Sequence, residues 1–217
     1  MDRTAMKAEI RRYIDDISNT YAGDLDAIIY TAVLDTQGVM ETLDDSYFLK
    51  EATIVVPANT QNVNLTTLLS LTSALRSLKD VRRVSGDNRI PVQIVDFRDI
   101  QHLAYTSNYR TTGWKAAFVR INAVEYLRYP YVISESHSLA LLYTTDIANA
   151  ANDAATFDLP EQAQRLANLK AAMIVLGGEA AKSRGIEALY NSALKQFIDN
   201  YANRDRTGPQ YVRRTGY

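Results

Sequence analysis

Apolar residues return every three or four positions at both ends of this chain and lose that period between Ser46 and about Thr144, so no single helical array accounts for the whole. Met6, Ile10, Ile14, Ile17 and Tyr21 draw one stripe along a helix predicted over Thr4 to Tyr21. Leu25, Ile28, Ile29, Ala32, Val33 and Thr36 draw a second, with Gly23 ending the first helix, Asp24 placed to cap the next and Gly38 marking weakening toward its end. So short a link makes the pair antiparallel.

The C-terminal part carries the same period. Asp158 offers an N-cap oxygen, Glu161 follows three residues later, and Pro160 falls in the first turn, where its missing N–H costs nothing. The face behind that start is Ala163, Leu166, Leu169, Ala172, Met173 and Leu176, stopped or bent by Gly177 and Gly178. A last helix begins between Glu179 and Gly185 and carries Ile186, Leu189, Tyr190, Ala193, Leu194, Phe197 and Tyr201 on one side.

Between these ends β-branched residues take over. Strands are predicted at Ala52 to Val56, Val81 to Val84, Val92 to Val95, Ala117 to Ile121, Val124 to Tyr129 and Leu139 to Tyr143. Phe97, Ile100, Leu103 and Ala104 predict a short helix over Asp96 to Tyr105. Pro57 and the Asn/Thr/Gln run behind it read as a break, and Leu65 to Leu78 fits a helix about as well as two buried strands. The resulting expectation is an α+β chain, mainly α: a helical bundle from residues 1–45 and 157–203, a β-rich insertion over 46–156, and an extended C-terminal arm over 204–217.

Several chemistries find little to work with. The chain has no cysteine, which excludes disulfides, thiolate metal sites and Cys nucleophiles. Its two histidines, His102 and His137, lie in different parts of the insertion, and Glu135, Ser136 and His137 are too close along the backbone to converge on one reacting atom. The carboxylate pairs Asp15 with Asp16, Asp24 with Asp26 and Asp44 with Asp45 are explained by capping and solvation of helix surfaces. No phosphate-cradling glycine pattern can be written. The expectation is therefore no catalytic residue, no metal and no cofactor. A formal net charge of -1 gives no global pull toward nucleic acid, and no apolar run approaches the roughly 20 residues that span a bilayer, so no membrane partner is expected.

Two basic features stand out. Arg76, Lys79, Arg82 and Arg83 read first as a solvated face near a strand edge and second as candidate DNA-facing residues. Arg204, Arg206, Arg213 and Arg214 lie with Tyr211 and Tyr217 in the last sixteen residues, which have no periodic apolar face and reach about 50 Å if extended at ~3.3 Å per residue. Residues 1–45 carry ten acidic and four basic side chains, whereas 202–217 carry four Arg and one Asp, an asymmetry that suits head-to-tail contacts between copies. The fourteen tyrosines, with Tyr126, Tyr129 and Tyr131 around Pro130, suit an interface as well.

The order of these features resembles a known family. A helical pair opening with the Lys7 to Ile17 run KAEIRRYIDDI, a β-rich insertion, a strand ending in Tyr143, the loop Phe157-Asp158-Leu159-Pro160-Glu161, and two long helices with Tyr190 and Ala193 in the last are similar to the head-to-tail adaptors of short-tailed phages, also called head completion or tail accessory proteins. The segment from about Val124 to Tyr201 carries most of the likeness. The resemblance implies a structural virion protein at the head–tail interface, made in the host cytoplasm, with no enzymatic turnover. It implies binding to the portal protein, a ring of about twelve copies, contact with tail or nozzle proteins, and loose contact with channel DNA. It also assigns Arg204, Arg206, Tyr211, Arg213, Arg214 and Tyr217 as portal or inter-subunit contacts. The first rival reading is a nucleic-acid-binding module that uses the arm and the Arg76 to Arg83 patch, and the second is a hydrolase or other enzyme in the insertion, which would need a deep pocket joining His102 or His137 to a carboxylate.

Overall fold

The computed structural model describes residues 2–15, 25–44, 46–105, 114–149, 152–177 and 180–207. In chain order the elements are α1 (Arg3–Ile14), α2 (Leu25–Leu43), β1 (Lys50–Val56), β2 (Thr60–Asn64), α3 (Leu65–Leu68), β3 (Leu75–Ser85), β4 (Asn88–Ile94), α4 (Phe97–Tyr105), β5 (Trp114–Ile121), β6 (Val124–Ile133), β7 (His137–Thr145), α5 (Glu161–Val175) and α6 (Ala180–Thr207). The expectation of a mainly α helical bundle is corrected. With 44% helix and 34% strand the chain is mixed α/β, and its largest single assembly is a curled seven-stranded sheet. The predicted segments mark six of the seven strands but cover only part of β3, β6 and β7 and leave out β2, so strand is under-counted against helices whose apolar period is continuous.

Two compact units divide the chain, one of residues 1–45 with 149–217 and one of residues 46–148. The first holds α1, α2, α5 and α6, with α5 packed against the other three. Helix α1 starts where the Asp2 carboxylate accepts from the Ala5 N–H at 2.7 Å, and it ends at Asp15, whose φ of 55° turns the chain out of the helix. It buries Met6, Ile10 and Ile14 and stops earlier than the Tyr21 predicted; Ile17, Tyr21, Gly23 and Asp24 lie outside the described residues. Helix α2 runs through Gly38 to Leu43, so that glycine does not end it, and Met40 beyond it is buried. Leu25, Ile29, Ala32, Val33 and Thr36 form its buried face.

Helix α5 buries Ala163, Leu166, Leu169 and Ala172, but its start differs from the prediction. Pro160, not Asp158, is the N-cap and offers no side-chain hydrogen bond. Gln164 ties the turn instead, donating its amide to the Leu159 carbonyl at 2.7 Å. One turn on, fully buried Asn168 donates to Glu9 of α1 at 2.6 Å, and Glu9 also accepts from the Tyr13 hydroxyl at 2.8 Å. This polar tie across two apolar faces sets the register of α1 on α5. In α6, Ile186 and Phe197 are buried while Leu189 is 48% exposed, so the packed stripe is narrower than the seven residues predicted for it.

The second unit is built on the sheet, in the order β1-β7-β3-β4-β5-β6-β2. Its two terminal strands are joined by only Pro57, Ala58 and Asn59. Lying flat, the first and last of seven strands would stand about 29 Å apart at ~4.8 Å per step, yet the link from Val56 to Thr60 spans at most about 14 Å. The sheet must therefore curl toward closure. Every strand contributes to the interior it encloses: Ile54 and Val56, Val63, Val81, Val92, Ala116, Leu127 and Tyr129, and Leu139, Leu141 and Tyr143 form one buried cluster. Outside the curl, α4 packs Ile100 and Leu103 on Ala117. It also forms the crossover between β4 and β5, the only parallel pair among the described strands.

Strand β2 overturns the predicted break after Pro57. It turns a single apolar residue, Val63, inward among polar neighbours, so it carries no alternating apolar signal. Asn59, with φ of 60°, reverses the chain, and its N–H donates to the Ile133 carbonyl at 2.7 Å. The ambiguous stretch from Leu65 resolves into one turn of helix capped by Asn64, a reversal through Ser70 at φ 49°, and a long strand from Leu75.

Candidate interaction surfaces

Of the candidate DNA-facing residues, all four lie on β3. A strand alternates its side chains between two faces, and the ladder with β7 pairs Arg83 with Leu139 and Arg82 with Ala140. Arg83 thus shares the face of the buried Leu139 and Leu141, whereas Arg82 stands on the outer face. Neither is an uncommitted cation. Arg82 donates from Nε to Asp80 at 2.6 Å, and Arg76 donates to Asp146 at 3.2 Å. Arg83 lays its guanidinium 4.2 Å from the centre of the Trp114 ring. Lys79 and Arg82 are exposed, while Arg76 and Arg83 are half-buried. The basic patch read from the sequence is dispersed over two faces, and three of its members serve the sheet.

The stacked pair opens onto a buried aromatic cluster. Trp114 and His137 rings lie 5.2 Å apart, and the Tyr129 hydroxyl stands 3.1 Å from His137 Nε2. The other ring nitrogen faces the Glu135 carbonyl at 3.3 Å. Burial holds the His137 pKa below its ordinary value; the Arg83 charge pushes the same way, and the Glu135 carbonyl opposes both. Burial likewise raises the Tyr129 phenol. His137 is thus a neutral interior residue and hydrogen-bond partner, while Glu135 and Ser136 belong to the turn before β7. His102 lies on α4, among different neighbours.

A second polar tie was not legible from the residues alone. Glu125, at 2% exposure, accepts from Arg120 Nε at 2.9 Å and from the Thr66 hydroxyl at 2.7 Å. Arg120 also donates to the Leu75 carbonyl at 2.9 Å, so α3, β3, β5 and β6 are held at one point. Burial alone would raise the Glu125 pKa, but the Thr66 and Arg120 hydrogen bonds outweigh it and hold the carboxyl below its usual range. Only spacing across 59 residues joins Thr66 to Glu125, which no local pattern records.

The predicted C-terminal contacts divide. Arg204 and Arg206 lie in α6, which continues to Thr207, so the helix runs past the point where an extended arm was predicted to begin. Tyr211, Arg213, Arg214 and Tyr217 lie outside the described residues. Among the described residues no group of three or more His, Asp or Glu side chains is arranged to hold a metal ion, and no helix is long and apolar enough to cross a membrane.

The sheet leaves two terminal strands. Among the described strands β1 pairs only with β7, in continuous register from Lys50 opposite Tyr143 to Val56 opposite His137. β2 pairs with β6 through an irregularity between Thr60 and Asn62, where the Gln61 amide reaches the Tyr129 and Pro130 carbonyls at 3.3 and 3.4 Å. Around these edges Val55 is 61% and Val132 55% exposed. No protein-family model matches this chain, and no curated protein matches its sequence.

Proposed function

We propose that this chain is a head-to-tail adaptor of a short-tailed phage: a structural subunit that docks on the portal as a ring, extends the DNA channel and offers its other surface to tail or nozzle proteins. What carries the reading is the way the two chain ends meet. α1 and α2 from the N-terminal part and α5 and α6 from the C-terminal part pack into one unit, with the whole of the sheet inserted between them in sequence. That order of helical pair, inserted sheet and long closing helices is the order on which the family resemblance rests.

In such a ring, one modest contact is repeated around an axis, so attachment becomes tight without any single interface being large. The chain's charge asymmetry, acidic over residues 1–45 and basic over 202–217, fits contacts between unlike surfaces. Arg204 and Arg206 on the end of α6, with Tyr211, Arg213, Arg214 and Tyr217 beyond it, are the residues we assign to portal or neighbouring subunits. The second reading, a nucleic-acid module using the arm and the Arg76 to Arg83 patch, finds less support, since Arg76 pairs with Asp146, Arg82 with Asp80 and Arg83 with Trp114.

The test is assembly on the portal ring encoded in the same genome, comparing the full chain with one ending at Thr207. Co-sedimentation of the full chain, lost or strongly weakened in the shortened one, is the expected result. Absence of any portal association by the full chain overturns the proposal.

A further inference from the structure

The two edges of the sheet are not guarded alike. Natural sheets blunt exposed edges with short strands, bulges, proline or inward charges. β2 is five residues long and broken by its irregularity, which suits an edge that must stay unpaired. β1 is seven residues long, contains no proline, runs without a bulge, and pairs on its second side with no strand among the described residues. Its charges, Lys50 and Glu51, are confined to one end, while Val55 at the other is 61% exposed. An edge of this kind is a template for one more strand.

We infer that the β1 edge receives residues Gln210 to Gly216 of a second copy of this chain as an added antiparallel strand. Helix continuation past Thr207 meets Pro209, which cannot donate to an interior helical turn. Eight residues follow Pro209, enough to lie along the seven of β1, and none of them is proline. In the antiparallel register that sets Tyr211 opposite Val55, Val212 falls on the face of the buried Ile54, and Arg213 stands opposite Thr53, one diagonal step from Glu51, a carboxylate that already accepts from Arg89 at 3.1 Å. Three positions meet complements, aromatic on exposed valine, valine toward the core and guanidinium near carboxylate, while Gln210 and Arg214 flank Val212 on its own face, opposite Val56 and Ala52. Backbone hydrogen bonds supply the attachment and the alternating side chains supply the register. The inference rests on the adaptor reading for its source of the strand, a neighbour in a ring, and it names the surface that neighbour grips.

The cysteine-free sequence allows a direct test. Full-length Val55→Cys in unlabelled form is mixed with full-length Tyr211→Cys in isotopically heavy form, then oxidised or joined with a short bismaleimide. The expected product is a mixed light–heavy dimer, lost when Val212→Pro is added to the Tyr211→Cys chain, and absent when Thr60→Cys on the β2 edge replaces Val55→Cys. Circular dichroism of each variant establishes that it is folded. No mixed dimer, equal joining at Val55 and Thr60, or joining only within a single chain that carries both cysteines overturns the inference. The same variants are scored for portal assembly: assembly without the cross-link rejects the β1 edge alone, whereas loss of assembly by the unmodified chain rejects the adaptor reading.

Discussion

The Tyr129 hydroxyl lies 3.1 Å from His137 Nε2 inside the curled sheet, so two interior polar groups on adjacent strands in sequence satisfy each other. The depressed His137 pKa makes that pairing pH-sensitive. Between the folded value and the ordinary value of 6.5 the unfolded chain binds more protons than the folded one. The stability contributed by neutral His137 is therefore complete above about pH 6.5 and is lost as pH falls through the folded value. Urea unfolding between pH 5 and 8 is expected to show this slope in the wild type and to show it flattened in His137→Gln.

Removing the other partner is a separate experiment. Tyr129→Phe keeps the ring against Trp114 and deletes only the hydroxyl, leaving His137 Nε2 buried without that partner. A loss of about 1–2 kcal/mol by denaturant unfolding is expected.

Glu125 provides the acid counterpart. Its pKa is lowered below the ordinary 4.5, so its contribution is present above that value and lost as pH falls through the folded one. Glu125→Ala strips partners from Arg120 and Thr66 at once and is expected to cost about 2 kcal/mol at neutral pH. Its stability should also change less than that of the wild type below pH 4.5, which acid titration followed by circular dichroism measures.

Arg83 and Arg82 should behave differently although they are neighbours in sequence. Arg83 covers Trp114, the only tryptophan of the chain, whereas Arg82 is an outer-face residue paired with Asp80. Arg83→Ala is expected to shift the tryptophan emission and cost about 1 kcal/mol. Arg82→Ala should leave the emission unmoved and stability within about 0.5 kcal/mol.

These contrasts mark what the sequence made legible and what it did not. Met6, Ile10 and Ile14 carry a helical period openly, and Leu139 to Tyr143 is a continuous apolar run, so both were readable as elements before any fold was known. β2 was hidden because Val63 is its one buried apolar residue, and the ladder with β6, not alternation, makes it a strand. The basic run on β3 divides between two faces because consecutive strand residues point opposite ways, which sends Arg83 to the aromatic cluster and Arg82 outward. Asn168 with Glu9, and Thr66 with Glu125, depend on partners 159 and 59 residues away. No local reading registers such ties, and they are what fix how the elements meet.

The ring that we propose this chain forms on a portal is tested by native mass measurement of the purified protein with and without that portal. The prediction is a complex that adds about 290 kDa to the portal, the mass of about twelve copies of a 24.3 kDa chain, and that fails to form when residues 208–217 are removed. A protein that remains at 24.3 kDa whether or not the portal is present would contradict it.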